Sequence, residues 1–82
     1  MMQSPDRSKR STHHIIPKSR GGGLGDNLVD VNMREHQFYH ALFGNRTPEE
    51  IVRYLNKRFW ADKYSGLEVQ MEKYAYLNHH KV

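Results

Sequence analysis

The first half of the chain holds two short apolar segments separated by glycines. Residues 13–17 contain a β-branched pair, and residues 27–31 alternate polar and apolar side chains, so each segment is typical of a short strand. Residues 18–26 include four glycines and are predicted to form a loop. We therefore expect a hairpin with a long glycine-rich connection, with Pro17 at the end of its first strand.

From residue 32 onward the apolar positions recur at helical spacing, which predicts three helices. Asn32 can cap the first helix, and Gly44 is a plausible stop. Thr47 can cap the second helix, because Pro48 suits the first helical position. A third helix is expected from about Leu67, after a break at Ser65-Gly66. Strands followed by helices predict the α+β class.

The length of 82 residues suits one domain. We expect a flexible basic lead-in over residues 1–11, a core motif over residues 12–44, and helices over residues 45–82 that complete the same domain. Apolar side chains of the last two helices are expected to pack against the first half: Ile51, Leu55, Phe59, Trp60, Leu67 and Met71.

The amino-acid composition limits which binding sites and partners the chain can have. The chain has no cysteine, which excludes disulfides and thiolate metal sites. Its net charge of +4 favours polyanionic partners, chiefly nucleic acid, although many small proteins are basic without such a role. No apolar stretch is long enough for a membrane span, and residues 1–11 lack the apolar core of a signal peptide. A cytoplasmic protein that does not contact a membrane is the expectation.

Four of the six histidines form two pairs, and these are the strongest candidates for chemistry. His36 and His40 lie one helical turn apart and can bind one ion, although the same spacing fits two ordinary surface histidines. His13 and His14 are adjacent, so a strand points them to opposite faces. One ring can then bind a metal while its neighbour remains free as a base. Three protein ligands with an open position are typical of catalytic metal sites.

Together these residues resemble the HNH endonuclease motif. The resemblance rests on THHIIPKSRGG at residues 12–22, Asn-Leu-Val at residues 27–29, and the pair His36-x-x-x-His40, and it covers about residues 12–44. In ligand type it is nearest to the histidine-rich subgroup that includes the bacterial colicin DNase domains. The resemblance implies a ββα-metal (His-Me finger) unit with a long glycine-rich loop, followed here by two packing helices.

The resemblance also implies roles for individual residues. One divalent ion (zinc, nickel, magnesium or manganese) would be bound by His13, His36 and His40. His14 would be the general base that deprotonates water, and Asn27 would orient His14 and the loop. The alternatives are that His14 is a core or surface histidine, that Asn27 is a turn residue, and that the glycines form a linker.

Basic residues near the motif are candidates for DNA contacts. Lys18 and Arg20 flank the loop and could bind a phosphate, and Arg7 and Arg10 could lie along the backbone of the nucleic acid. Each could instead be an ordinary solvated charge. The glycines at 21–23 are expected to tolerate the positive φ that a tight loop needs.

The sequence departs from many HNH relatives, because it lacks the two Cys-x-x-Cys pairs that brace the hairpin with zinc. Stability is therefore expected to come from the helices of residues 45–82. The leading interpretation is a metal-dependent endonuclease that nicks DNA, targeted by a partner protein or by dimerisation. The alternatives are a non-catalytic, metal-stabilised nucleic-acid-binding or interaction module of the same fold, and a structural metal domain without nucleic acid.

Overall fold

A computed structural model describes residues 9–79, and the side chains as far as residue 77. The architecture is α+β, a two-stranded antiparallel sheet followed by helices. The chain divides into two compact units between Thr47 and Pro48, and each is described separately. The elements in order are β1 (Arg10–His14), β2 (Leu28–Asn32), α1 (Met33–Phe43), α2 (Pro48–Arg58) and α3 (Ser65–His79), with short 3-10 turns at Lys18–Arg20 and Gly25–Asn27.

The hairpin of the first unit pairs β1 with β2, from Arg10 opposite Asn32 to His14 opposite Leu28. The expected strand at residues 13–17 is therefore shifted towards the N-terminus, and β1 ends at His14. Beyond that point both polar groups of the Ile16 backbone bond to the side chain of Asn27, at 2.8 and 3.0 Å, instead of to a strand. The β-branched pair that suggested a strand thus belongs to the start of the loop.

The glycine-rich loop folds tightly, and two of its glycines are needed for different reasons. Gly21 has a φ of 92°, in the left-handed region that favours glycine. Gly22 needs space instead, because a Cβ there would lie 1.8 Å from the carbonyl oxygen of Ile16 and 2.7 Å from Nδ2 of Asn27. The expectation of positive φ is thus confirmed for Gly21 and wrong for Gly22 and Gly23.

Helix α1 begins where β2 ends, with no loop between them. Asn32, the last residue of β2, caps the helix, and its side-chain oxygen accepts a hydrogen bond of 3.0 Å from the backbone N–H of Glu35. The helix ends at Gly44, which has a φ of 57° and donates its N–H to the carbonyl of His40 at 2.9 Å. Both predicted ends of α1 are confirmed. This direct join fixes the first turns of α1 beside the sheet.

The second unit is a hairpin of α2 and α3, joined through residues 59–64. Two non-glycine residues of the connection, Ala61 and Asp62, have positive φ of 50° and 61°. The predicted break at Ser65-Gly66 is wrong, because Gly66 lies in the first turn of α3. The unit is held by the polar side chain of Asn56, which is completely buried and hydrogen-bonded to the backbone of Tyr64.

Apolar packing in the second unit is less complete than the sequence suggests. Ile51 is buried, whereas Phe59 is 63% exposed and Leu67 is 40% exposed. Phe59 is the first residue after α2. Within residues 9–79, no helix is long and apolar enough to cross a membrane.

Candidate functional site

Three imidazole rings meet where β1 lies against α1. His13 extends from β1, and His36 and His40 extend from successive turns of α1. One ring nitrogen from each lies within 4.8 Å of the other two. Nδ1 of His13 is 3.2 Å from Nε2 of His36, which in turn is 2.8 Å from Nε2 of His40. The structure thus brings together the three histidines that the sequence suggested as ligands.

Hydrogen bonding alone does not account for this cluster. A ring nitrogen carries either one N–H or one lone pair, so Nε2 of His36 can form a good hydrogen bond with only one of its two neighbours. A cation would instead accept one lone pair from every ring. Two imidazole nitrogens bound to one tetrahedral zinc ion lie about 3.3 Å apart, given Zn–N bonds of about 2.0–2.1 Å. The donor set, and the two spacings of 3.2 and 2.8 Å, therefore fit a divalent ion.

The outer nitrogens of the two helical histidines have partners of their own. Nδ1 of His40 lies 3.2 Å from the carbonyl oxygen of Gly44. Because a carbonyl only accepts, this hydrogen bond requires Nδ1–H and leaves a lone pair on Nε2. Nδ1 of His36 contacts Oγ of Ser11, a residue that the sequence did not single out. The two-residue period of a strand could have identified Ser11, since it lies two residues before His13 and therefore on the same face of β1.

The surroundings of His13 and His36 favour the neutral forms of these two rings. Burial lowers the pKa of His13, and positive charge on His36, His40 and His14 would lower it further. Burial also lowers the pKa of His36, with a second contribution from His40. Tyr39 packs edge-on against His13, with ring centroids 4.6 Å apart. His13 and His36 therefore keep lone pairs available near neutral pH, as metal ligands must.

His14 is next to the cluster but is not one of the three rings that meet. Its half-buried side chain lines a cleft of about 270 Å³ together with His36 and His40, so its ring borders the same space as two of the candidate ligands. Lys18 lines the cleft as well, from the 3-10 turn that follows β1. His14 and Lys18 thus line the same cleft as two of the candidate ligands.

Asn27 acts on the backbone that follows His14. Its Oδ1 accepts a hydrogen bond of 2.8 Å from the N–H of Ile16, while its Nδ2 donates to the carbonyl of Ile16 at 3.0 Å and to that of Gly23 at 3.1 Å. Its own carbonyl accepts the N–H of Ile15 at 2.8 Å. The side chain therefore ties the end of β1 to the glycine-rich loop.

The candidate DNA-contacting residues have different surroundings. Nη1 of Arg20 donates to the carbonyl of Asn45 at 3.3 Å. Because Asn45 lines the cleft, this hydrogen bond holds the exposed side chain of Arg20 near it. Arg10 forms an ion pair of 3.1 Å with Asp30 on β2, so its charge is already balanced. Arg7 lies outside the described residues.

Comparisons with known proteins give one local similarity. Over 51 residues the chain is 37% identical to a protein of Enterobacteria phage T4 described as probable mobile endonuclease E. The match covers 61% of this chain and 36% of that protein, so the chain spans about a third of the length of this relative. No family model matches the chain, and no solved structure matches it.

Proposed function

We propose that this chain is a metal-dependent endonuclease of the HNH type that hydrolyses phosphodiester bonds of DNA, cutting one strand at a time. The observation that carries the proposal is the convergence of His13, His36 and His40 beside a cleft that His14 also lines. The similarity to a phage protein described as a probable mobile endonuclease supports a nuclease. The net charge of +4 is consistent with a polyanionic substrate.

In this proposal His13, His36 and His40 bind one divalent ion. When bound, the ion would polarise a phosphoryl oxygen and neutralise the charge that develops on the phosphate. Ligands that are all imidazole favour zinc or nickel by affinity, whereas magnesium or manganese could support turnover. The contacts of Ser11 and Gly44 with the outer nitrogens would hold two of the rings in place.

His14 is proposed as the general base, because its ring borders the cleft but is not part of the cluster. A metal-bound imidazole has no free lone pair for a proton, so a separate ring is needed to take one from water. An imidazole suits this step since its ordinary pKa is near neutrality. The base would remove the proton while the water oxygen bonds to phosphorus. The bond from phosphorus to the leaving sugar oxygen would break, and that oxygen would take a proton from solvent water.

Asn27 is proposed as a positioning residue. Its hydrogen bonds hold both polar groups of the Ile16 backbone, two residues after His14, and so fix the end of the strand that presents the base. Lys18 lines the cleft and is the best-placed cation for the phosphate being cut, and Arg20 is a candidate for an adjacent phosphate. Targeting by a partner protein or by dimerisation stays a prediction.

The test is cleavage of supercoiled plasmid in the presence of magnesium, manganese, nickel or zinc. We expect the wild type to relax the plasmid in a metal-dependent way and His14→Ala to be slower by about 100- to 10,000-fold, the usual contribution of a general base. Isothermal titration should show that His14→Ala still binds the ion. His79→Ala, which removes a histidine from the second unit, is the matched control and should cut normally.

Two results would contradict the proposal. Equal nicking by the wild type and His14→Ala would remove His14 from the mechanism. Absence of cutting with every metal, together with retained DNA binding, would favour a non-catalytic, metal-stabilised nucleic-acid-binding module instead.

A further inference from the structure

The face of α1 that points away from the histidine cluster carries an exposed aromatic ring among cations. At about 100° per residue, Arg34 and Phe38 each lie about 160° from His36 around the helix, one on either side. The ring of Phe38 is 62% exposed. With Lys9, Met33 and Gln37, these two side chains line a surface hollow of about 380 Å³, which we call the outer α1 hollow.

The charge of the outer α1 hollow is positive. The guanidinium carbon of Arg34 lies 5.8 Å from the centroid of the Phe38 ring, and the ammonium group of Lys9 is the second cation. The described residues that line the hollow carry no carboxylate. Arg10, by contrast, has an acidic partner, Asp30, at 3.1 Å. The hollow therefore combines a flat apolar surface with positive charge that its own lining does not balance.

We propose that the outer α1 hollow binds an unpaired nucleotide, with the base stacked on Phe38 and the phosphates against Arg34 and Lys9. This inference rests on the proposed function, since it identifies a second contact with the nucleic-acid substrate. Every base has a π face, so stacking on an aromatic ring tolerates any sequence. A base inside a duplex is already stacked on both sides, which restricts such a site to single-stranded or unpaired segments. The amide of Gln37 can bond to a base edge.

A protein occupant fits the outer α1 hollow less well. Phe38 and Met33 offer apolar surface, but Lys9 and Arg34 lie beside them and would lose hydration under an apolar partner. A second copy of the chain would add another net charge of +4 to the first, and like charges oppose association. A polyanion with aromatic groups satisfies both features of the hollow at once.

The experiment measures binding without cleavage. A fluorescein-labelled 12-nucleotide oligothymidylate is titrated with protein in EDTA, and anisotropy gives the dissociation constant. We expect Phe38→Ala to weaken binding by roughly 5- to 100-fold, the usual cost of losing one base–aromatic stack. Phe38→Trp should bind at least as tightly as the wild type. Binding of a blunt mixed-sequence duplex should change by less than about twofold in either variant, because a duplex has no unpaired base for the ring.

The phosphate contacts have a separate signature. Arg34→Ala should lower the dependence of log K on log salt concentration by about 0.7 for the single strand, the value for one phosphate contact. The second unit offers matched controls. Phe59 is 63% exposed, like Phe38, and Arg58 lies 5.4 Å from the ring of Tyr54, much as Arg34 lies over Phe38. Phe59→Ala and Arg58→Ala should bind the oligonucleotide like the wild type.

Each other outcome overturns the inference. Unchanged binding by Phe38→Ala, or an equal loss in Phe59→Ala, would show that the hollow is not a specific site. Sedimentation that changes from dimer to monomer in Phe38→Ala would make it a protein interface. Failure here is distinct from failure of the proposed function: a wild type that nicks plasmid but does not bind the single strand refutes only the hollow. A wild type that binds through Phe38 without cutting in any metal refutes only the nuclease.

Discussion

Each unit of the molecule buries polar side chains, and the two sets are of different kinds. In the second unit, Nδ2 of Asn56 donates to the carbonyl of Tyr64 at 3.1 Å and to Oε2 of Glu68 at 2.8 Å, while its Oδ1 accepts the N–H of Tyr64 at 3.1 Å. In the first unit, His13 is 8% exposed, and its Nδ1 faces another ring nitrogen on His36. Each donor and acceptor of the Asn56 amide has a complementary partner, whereas the imidazole nitrogens of the cluster face one another.

This difference separates a structural polar group from a binding site. A buried amide with all its hydrogen bonds formed stabilises the fold and needs nothing else. A group of rings with more nitrogens than they can pair among themselves is completed by a ligand. Asn27 belongs with Asn56 in this respect, because its amide is bonded to the backbone at Ile16 and Gly23. Its proposed role therefore depends on the chain that it holds.

The largest expected effect is the stabilisation of the fold by a metal ion at the histidine cluster. With free zinc at about 1,000 times its dissociation constant, the wild type should gain about 4.1 kcal/mol of unfolding free energy over the protein in EDTA. His36→Ala should lose most of this gain, because His36 lies between the other two rings. Urea unfolding followed by circular dichroism, with zinc and with EDTA, measures both values.

The control for His36→Ala is His79→Ala, which should keep the zinc-dependent gain. If zinc and EDTA give the wild type the same unfolding curve, the cluster does not bind the ion and the contrast with Asn56 fails.

The second effect is the loss of stability when the buried amide of Asn56 is removed. Asn56→Ala should lower the unfolding free energy by about 2–3 kcal/mol, because it leaves buried polar groups of the connection after α2 without partners. The loss should be equal in zinc and in EDTA, since Asn56 belongs to the second unit. Gln70→Ala, at an exposed position of α3, is the control and should change the free energy by less than about 0.5 kcal/mol. A loss that disappears in zinc would contradict the division into structural and binding groups.

Much of the first unit could be predicted from the sequence, because its signals are local. The cap at Asn32 and the stop at Gly44 depend on residues within one turn of the helix ends, and both are confirmed. The spacing of His36 and His40 is a property of any helix. The resemblance then joined them to His13, and the structure brings the three rings together.

The remaining features depend on contacts between distant residues. β1 ends at His14 because the side chain of Asn27 forms hydrogen bonds with the backbone N–H and carbonyl of Ile16. No local sequence pattern predicts these bonds. Gly22 is needed for a close approach to Ile16, which becomes visible only when the loop is folded. Helical spacing predicted Phe59 on the packing face of the second helix, but α2 ends one residue earlier. Sequence periodicity gives the face of a residue only while its helix continues.

The third effect sharpens the comparison, because it concerns a partner of the cluster. Ser11→Ala removes the contact with Nδ1 of His36 and should weaken zinc binding by about tenfold, the lower end for such outer partners. Isothermal titration measures the change. Ser65→Ala, the same substitution at the start of α3, should leave zinc affinity unchanged. An unaltered zinc affinity in Ser11→Ala would show that Ser11 does not orient the ring.

The smallest effect tests the cluster without an ion. Burial, followed by the neighbouring imidazoles, lowers the pKa of His13 and His36 in the folded protein below the ordinary value of 6.5. Glu35 lines the same hollow as these two rings, yet the pKa of both is lowered, with burial as the largest cause. The unfolded chain therefore binds more protons as the pH falls through 6.5, so stability in EDTA should be full above that pH and should decrease below it.

Urea midpoints at pH 7.5 and 5.5 measure the decrease, which should be smaller in His36→Ala because one of the titrating rings is gone. A midpoint that is equal or higher at pH 5.5 in the wild type would mean that these rings are not held neutral by the fold.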